Sequence, residues 1–507
     1  MSILQDVRYG FRLLRRSPGT AAAAALSLAL GIGANSTIYS WVRGVLIEPL
    51  SGVSQQEDIV VLASRSRSDA WRTLSYPDYV DLRDTCKTLD GLVVDSIVTV
   101  SLGATGEARH AERVYGSLVS GNYFDVLRTG MGLGRGFTRA EDEAPGRAPV
   151  VVLSHALWQR RYAGDPTIVG QTIPINGKPY AVVEVAPSDF YGVWSGLALD
   201  LWIPVMMQAD VMQGDLIRAR GSRWLQGLGR LAAGVTVEQA NAEVKAAAER
   251  LAQAWPETNE GWAGAAMPMW RSPFGAQLFL TPVLLTLSGV VSLVLLLACA
   301  NVANLLLARA LGRRREMAIR LAVGASRRRL VRQMLVESVM LAGLGGVGGI
   351  LIALAAGPLL ATFNPPTDLM LRPAVNVDAA VVVFTALLSL LTGFVFGLAP
   401  ALQSARREVT VALRDESAAG SRHRSRLRDA LVVTQVALST MLLVGAGLFI
   451  RSLFAAEHVD PGFNPRNLVL AGYDLFPNGY TPETGMAFHE RLVRQLQSEP
   501  GVRAAGV

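Results

Sequence analysis

The sequence predicts a multi-pass α-helical membrane protein with five spans and a large extracytoplasmic mixed α/β domain between spans one and two. Three observations carry this. Five apolar stretches reach the roughly 20 residues that cross a bilayer core. Arginine-rich and arginine-poor connections alternate along the chain. Residues 49–277 interleave strand-like and helix-like periodicity. Composition agrees: 50% of residues are hydrophobic and 18% charged, where ordinary globular domains carry about 25% charged residues.

Residues 1–18 read as an amphipathic helix on the cytoplasmic membrane surface. Ile3, Leu4, Val7, Phe11 and Leu14 form an apolar stripe, with Arg8, Arg12 and Arg15 largely off it. A generic anchor is the preferred reading, and a role in signal transmission the alternative. Span one, 19–42, is alanine-rich and carries Asn35, Ser36 and Thr37. A cleaved signal peptide is the alternative for it, but the stretch exceeds the usual h-region, and four later spans fit an uncleaved anchor.

The remaining spans are 279–308, 337–360, 379–402 and 430–450. None has an Asp, Glu, Lys or Arg between its ends; each such charge at mid-membrane would cost about 2.5–3.5 kcal/mol on insertion. The connection 309–336 holds nine arginines, 361–378 only Arg372, and the linker 403–429 seven. Positive charge marks the cytoplasmic side. The N-terminus is therefore expected in the cytoplasm, with 49–277 and 452 onward outside.

Within 49–277, 58–63, 93–102 and 150–153 are short β-branched and aliphatic runs. Residues 172–185 alternate around Asn176-Gly177, a dipeptide favoured in two-residue hairpin turns. Residues 237–254 are helical, with Ala240, Val244, Ala247 and Leu251 on one face. A mixed sheet with packed helices follows.

Several classes are excluded or disfavoured. The net charge of +7 does not point to nucleic acid, because the basic residues sit in short blocks beside apolar runs and no recognition motif accompanies them. No GxxxxGK[ST], GxSxG or HExxH occurs, so no catalytic site, cofactor or nucleotide loop is expected. The histidines at 110, 155, 423, 458 and 489 lack metal-ligand spacing, and Cys86 in a polar stretch and Cys299 in an apolar run offer no disulfide framework. A secondary transporter needs ionisable groups or broken helices at mid-membrane, which spans two to five lack. Gly345 with Gly349, and Gly393 with Gly397, have the spacing for close helix packing; ordinary membrane-helix glycine is the preferred reading. Asn301 and Asn304 are expected to hydrogen-bond within the bundle.

Several segments carry a family resemblance. ALSLALGIGANSTIYSWVRGVLIEPL (25–50), SYPDYVDLRD (75–84), VSGNYFDVLRTGMGLGRGFTRAED (119–142) and VVLSHALWQRRYAGDPTIVGQTIPINGKPYAVVEV (151–185) resemble the first span and periplasmic core domain of MacB/FtsX-type ABC transporter permeases. LACANVANLLLARALGRRREMAIRLAVGASRRRLVRQMLVES (297–338) resembles their second span, cytoplasmic coupling region and start of the third. In that family one module has four spans. Residues 426–475 resemble the opening of a second, as in the tandem-module (duplicated) orphan permeases, and 452–507 the start of a second periplasmic domain. On that reading the chain is expected to be a fragment of a longer protein.

The resemblance implies an inner-membrane permease subunit of a transport or efflux system, coupling a separate cytoplasmic ABC ATPase to motion of the periplasmic domain. It also implies a homodimer or an intramolecular tandem pseudo-dimer. The coupling residues would be Arg315, Glu316, Met317, Ile319, Arg320, Leu321, Val323, Gly324 and Ala325. Physically, 316–323 has helical propensity, Gly324 breaks it, and Ser326 can cap a second helix with Leu330, Val331, Met334 and Leu335 on its apolar face. The alternative is an interfacial loop whose arginines only set topology. At the level of function, the alternative is an ATPase-independent membrane-anchored sensor or adaptor with a periplasmic binding domain.

Overall fold

The structure, a computed structural model, describes residues 3–103, 111–130, 132–194, 196–312, 319, 326–361, 377–405, 422–459, 462, 467–476 and 479–506. They fall into two compact units. One holds Met1–Gly44, Phe279–Pro365 and Pro373–Leu468; the other holds Val45–Leu278, Pro366–Arg372 and Val469–Val507.

The chain opens with α1 (Ile3–Arg16) and α2 (Pro18–Val42), the latter continued by a π-helical turn at Arg43–Ile47. Pro18 starts α2, where its missing N–H would have had no helical partner.

The second unit is built on a sheet of β1 (Ile59–Ser66), β2 (Trp71–Arg72), β3 (Leu89–Leu102), β4 (Glu112–Val119), β5 (Leu133–Gly134), β6 (Val150–Leu153), β7 (Thr172–Ile175), β8 (Lys178–Val185), β9 (Leu201–Pro204), β10 (Gln226–Leu231) and β11 (Trp262–Pro268). Its order is β11-β1-β10-β3-β4-β9-β6-β8-β5, with β2 beside β1 and β7 beside both β3 and β8. The β3–β7 bridge, Leu102 opposite Ile175, closes a ring through β4, β9, β6 and β8. The β4–β9 and β6–β8 pairs are parallel and the others antiparallel, so the sheet is mixed, as the sequence predicts. The Asn176-Gly177 turn has the positive φ values, 49° and 75°, that a type I′ hairpin requires.

Helices α3 (Tyr76–Thr85), α4 (Tyr123–Leu127), α5 (His155–Tyr162), α6 (Gln208–Val211), α7 (Val237–Ala254) and α8 (Pro256–Asn259) complete this unit. Ser75 caps α3 by accepting the Asp78 amide at 3.3 Å, and a Thr236–Gln239 capping box starts α7. Burial on both sheet faces explains the near-continuous apolar runs. Val60 and Leu62 pack with α3 and α7 through Tyr79, Leu82, Ala240 and Val244. Ile59 and Val61, on the opposite face, pack with Tyr123, Phe124, Phe190 and Trp202. Cys86 sits buried in the first cluster.

The bundle continues with α9 (Ala276–Gly312), α10 (Arg327–Ala361), α11 (Ala379–Ala405) and α12 (Arg422–Glu457); α13 (Pro482–Ser498) follows. Five helices among the described residues are long and apolar enough to cross a membrane. The protein is a multi-pass membrane protein with a mixed α/β domain placed after the first of them. One local reading changes: the helix expected after Ser326 is not separate from the third span. Residues 327–361 form one uninterrupted helix, because no proline or open glycine turn interrupts 327–340.

The glycine reading is also corrected. A Cβ on Gly345 would lie 2.5 Å from Leu28 Cβ, and one on Gly349 would lie 3.0 Å from the Gly33 nitrogen. In α11, Gly393 would meet Ala342 Cβ at 2.9 Å, and Gly397 would meet Ser338 Cβ at 2.5 Å. These glycines let α10 approach α2 and α11 closely, as small residues do between membrane helices. Polar side chains add to the seams: Ser36 and Thr385 hydroxyls lie 2.7 Å apart, Asn35 donates to the Val291 carbonyl at 2.8 Å, and Asn304 donates to Gln435 Oε1 at 3.1 Å.

Candidate functional site

The expected coupling site lies between the C-terminal end of α9 and the N-terminal end of α10. Arg315, Glu316, Met317, Arg320, Leu321, Val323, Gly324 and Ala325 fall outside the described residues. Ile319 lies within them and is 56% exposed. Ser326 ends the segment; its carbonyl accepts the Arg329 and Leu330 amides at 3.0 and 3.4 Å. Leu330 is buried, and Val331, Met334 and Leu335 are half-buried.

The helices that emit and receive this segment are tied to the rest of the bundle by polar contacts. Arg309, in the last turn of α9, donates to the Ser17 hydroxyl at 2.7 Å, to the Ser17 carbonyl at 3.2 Å and to the Thr20 hydroxyl. It also lies 3.8 Å from Glu337 of α10. Arg332 of α10 pairs with Asp6 of α1 at 2.8 Å. Arg43, after α2, pairs with Asp378, which also caps α11 by accepting the Val381 amide at 3.0 Å. Both carboxylates, Asp6 of α1 and Glu337 of α10, are largely buried beside these arginines.

Two further anchors sit where the chain enters and leaves the α/β unit, and sequence reasoning missed both. Arg230 of β10 is almost fully buried, yet its guanidinium reaches outward to backbone. It donates to the carbonyls of Ser54 and Gln55 at 2.9 Å each, and to those of Val126 and Leu127 at 2.6 and 3.1 Å. Asp58 is 4.0 Å away. A planar fork with five donors suits such a cluster of carbonyls. Arg230 thereby fixes the segment that follows α2 to the central sheet and α4.

At the exit, Asp95 of β3 is fully buried and accepts from Ser117 at 2.7 Å, from Tyr123 at 3.3 Å and from the Trp194 indole. Burial without a facing cation pushes its carboxyl up to about 6. Trp194 and Phe274 each pack against the second core cluster. A Cβ on Gly275, the residue before α9, would lie 3.6 Å from the indole. The indole therefore joins the sheet interior to the last turn of chain before the second span. A second raised carboxyl, Asp142, is pushed by burial up to about 6 while accepting the Gly121 amide at 2.9 Å.

Among the described residues no cluster of His, Cys, Asp and Glu has the makings of a metal site. Asp78 is instead held by Arg220, Arg223 and Asn259 at 2.7, 2.8 and 2.9 Å. Those guanidiniums lie 4.6 Å from the rings of Trp255 and Trp262 respectively. This cluster is fully satisfied and reads as structural.

Comparison with known proteins places these features in context. The family model for the MacB-like periplasmic core domain matches residues 21–247, and that for the FtsX-like permease C-terminal region matches 288–409. The macrolide export ATP-binding/permease protein MacB of Escherichia coli strain K12 is 30% identical over 306 residues, covering 59% of this chain and 43% of that protein. The MacB of Shigella flexneri matches to the same extent. The chain thus spans less than half the length of the curated relatives it matches. Among solved structures, the periplasmic region of MacB from Actinobacillus actinomycetemcomitans aligns with a TM-score of 0.32 at 16% identity, covering 43% of this chain and 91% of that one. The two family models fall on the α/β unit with its preceding helix and on the helices around the coupling segment, and the chain belongs to the MacB/FtsX-type ABC transporter permeases.

Proposed function

We propose that this chain is the permease component of an ABC-type transport or efflux system, in which a separate cytoplasmic ATPase docks on 309–336 and moves the α/β domain. On this reading the N-terminus and the basic connections are cytoplasmic and 49–277 is periplasmic, following the arginine asymmetry. The observation that carries the proposal is the continuity of α9 and α10. Both run without a break from the two ends of the coupling segment through apolar windows of membrane length. A helix transmits displacement along its axis, because its backbone bonds are satisfied internally.

The anchors give that motion a defined recipient. Arg230 holds the backbone of Ser54 and Gln55, after α2, to β10, and the Asp95–Trp194 pair lies beside Gly275, just before α9. Substrate would be displaced by the domain outside the membrane rather than carried through the bundle, in keeping with the uncharged middles of spans two to five.

The experiment is affinity capture of the chain from membranes in which candidate ABC ATPases of the same cell are co-expressed. One ATPase should co-purify, and the complex should hydrolyse ATP while the chain alone neither binds nor hydrolyses it. Capture of no ATPase would put the sensor or adaptor reading in its place.

A further inference from the structure

We propose that α1 is a docking surface for the anionic headgroups of a phospholipid bilayer, held at a fixed orientation by the bundle. Three observations support this, independently of whether an ATPase binds.

First, α1 has a packed face that takes Leu14 from the apolar stripe but leaves Val7 and Phe11 exposed. Asp6, Gly10 and Leu14 are buried, at i, i+4 and i+8. Asp6 pairs with Arg332, and a Cβ on Gly10 would lie 2.8 Å from Met340 Sδ. The helix therefore has no freedom to rotate and bury another face in the protein.

Second, Val7 and Phe11, 39% and 53% exposed, lie on the flank beside that packed face. At 100° per residue they separate it from Arg8, Arg12 and Arg15. An amphipathic helix in this orientation puts its apolar flank at the acyl boundary and its basic residues among headgroups.

Third, the charge on this surface is one-sided. Arg8, Arg12, Arg15 and Arg16 are exposed, and none forms an ion pair among the described residues. The helix's one acidic residue, Asp6, is already paired inward. The Arg15 guanidinium lies 5.0 Å from the Phe11 ring centroid, placing a cation where an aromatic ring meets the headgroup layer. A zwitterionic surface offers no net counter-charge to four arginines. An anionic one does, and each basic residue close to it favours association about fivefold.

The test uses the full chain in nanodiscs, with an environment-sensitive fluorophore on Val7→Cys, which leaves the Phe11–Arg15 pair intact. Discs contain phosphatidylcholine alone or phosphatidylcholine mixed with phosphatidylglycerol. Acrylamide, a neutral quencher, reports exposure. The expected result is quenching reduced several-fold in the anionic discs, restored by high salt, and restored equally by replacing Arg8, Arg12 and Arg15 with Gln. Equal quenching in both disc types, or protection indifferent to salt, would overturn the proposal. The salt titration needs no arginine variant, so a misfolded triple mutant leaves it decisive. Protection appearing only on addition of an ATPase would also overturn it, in favour of a protein partner. Nanodiscs expose both membrane faces, so the outcome does not depend on the chain's orientation.

Discussion

Gly349 of α10 faces Gly33 of α2 so closely that a Cβ on Gly349 would stand 3.0 Å from the Gly33 backbone nitrogen. Backbone lies against backbone there, with the Ile32 side chain close beside it at 3.1 Å. Gly349→Leu should therefore destabilise the bundle by about 1–3 kcal/mol or more through overpacking. Gly343→Leu in the same helix should be near neutral, because nothing lies within 4 Å of its position. Thermal unfolding midpoints of the two variants in one detergent would separate them.

Arg230→Met should cost about 1.5–3 kcal/mol, since bonds from a charged donor to four carbonyls are lost and the Leu127 carbonyl is left buried. Arg230→Lys should recover only part, because an ammonium cannot span four acceptors as a planar fork does. Hydrogen exchange on the intact chain reads the effect locally. Faster exchange confined to 50–58 and 124–129 is expected, and unchanged exchange there would remove Arg230 as an anchor.

Mild acid should stabilise the α/β unit. Asp95 and Asp142 both have folded-state values pushed up to about 6 by burial, above the ordinary value near 3.9. The folded state thus binds more protons in that window, so stability is gained as pH falls through 6 and lost as it rises. Glu141 and Glu243 are held low by their hydrogen bonds, and their contribution is lost only at lower pH. Stability should rise from pH 7.5 to 5.5 by about 0.8 kcal/mol per carboxyl, with unfolding midpoints rising in step, and Asp95→Asn should flatten part of that slope. A midpoint falling across this range would contradict the assignment.

Orientation is open to cysteine labelling. Gln208 is a poor position, being buried with its amide bonded to the Met212 and Gly214 carbonyls at 3.1 and 2.9 Å; its exposed neighbour Gln213 serves instead. Gln213→Cys should react with an impermeant reagent on intact cells, and Ser326→Cys only after permeabilisation. The reverse pattern at either position would invert or break the proposed topology.

The fold class was legible because it rests on local signals. Apolar runs of membrane length, the Asn176-Gly177 hairpin and the face Ala240–Val244–Ala247 each announce an element within a few residues of sequence. The anchors Arg230 and Asp95 were not legible, because their partners are remote. Arg230 looks like an ordinary polar position of a strand, and its acceptors are backbone carbonyls more than 100 residues earlier, a class of partner that leaves no mark in side-chain chemistry. Asp95 likewise finds Trp194 99 residues later. The glycines of α10 and α11 carried the right spacing, but spacing alone does not show that a facing backbone is present.

The central claim is that the segment between α9 and α10 docks an ATPase, and Leu321→Asp tests it most directly. Leu321 is four residues after Met317 in the sequence, so the helix that the sequence predicts over 316–323 would put the two on one face and Arg320 on a neighbouring one. A carboxylate placed there would be buried against a docked partner at a cost of several kcal/mol, whereas in a merely solvated loop it would matter by under about 0.5 kcal/mol. The measurement is co-purification of the ATPase with wild type and with Leu321→Asp at equal membrane abundance. Loss of the ATPase from the mutant is the expected result, and equal retention by both chains would contradict the account.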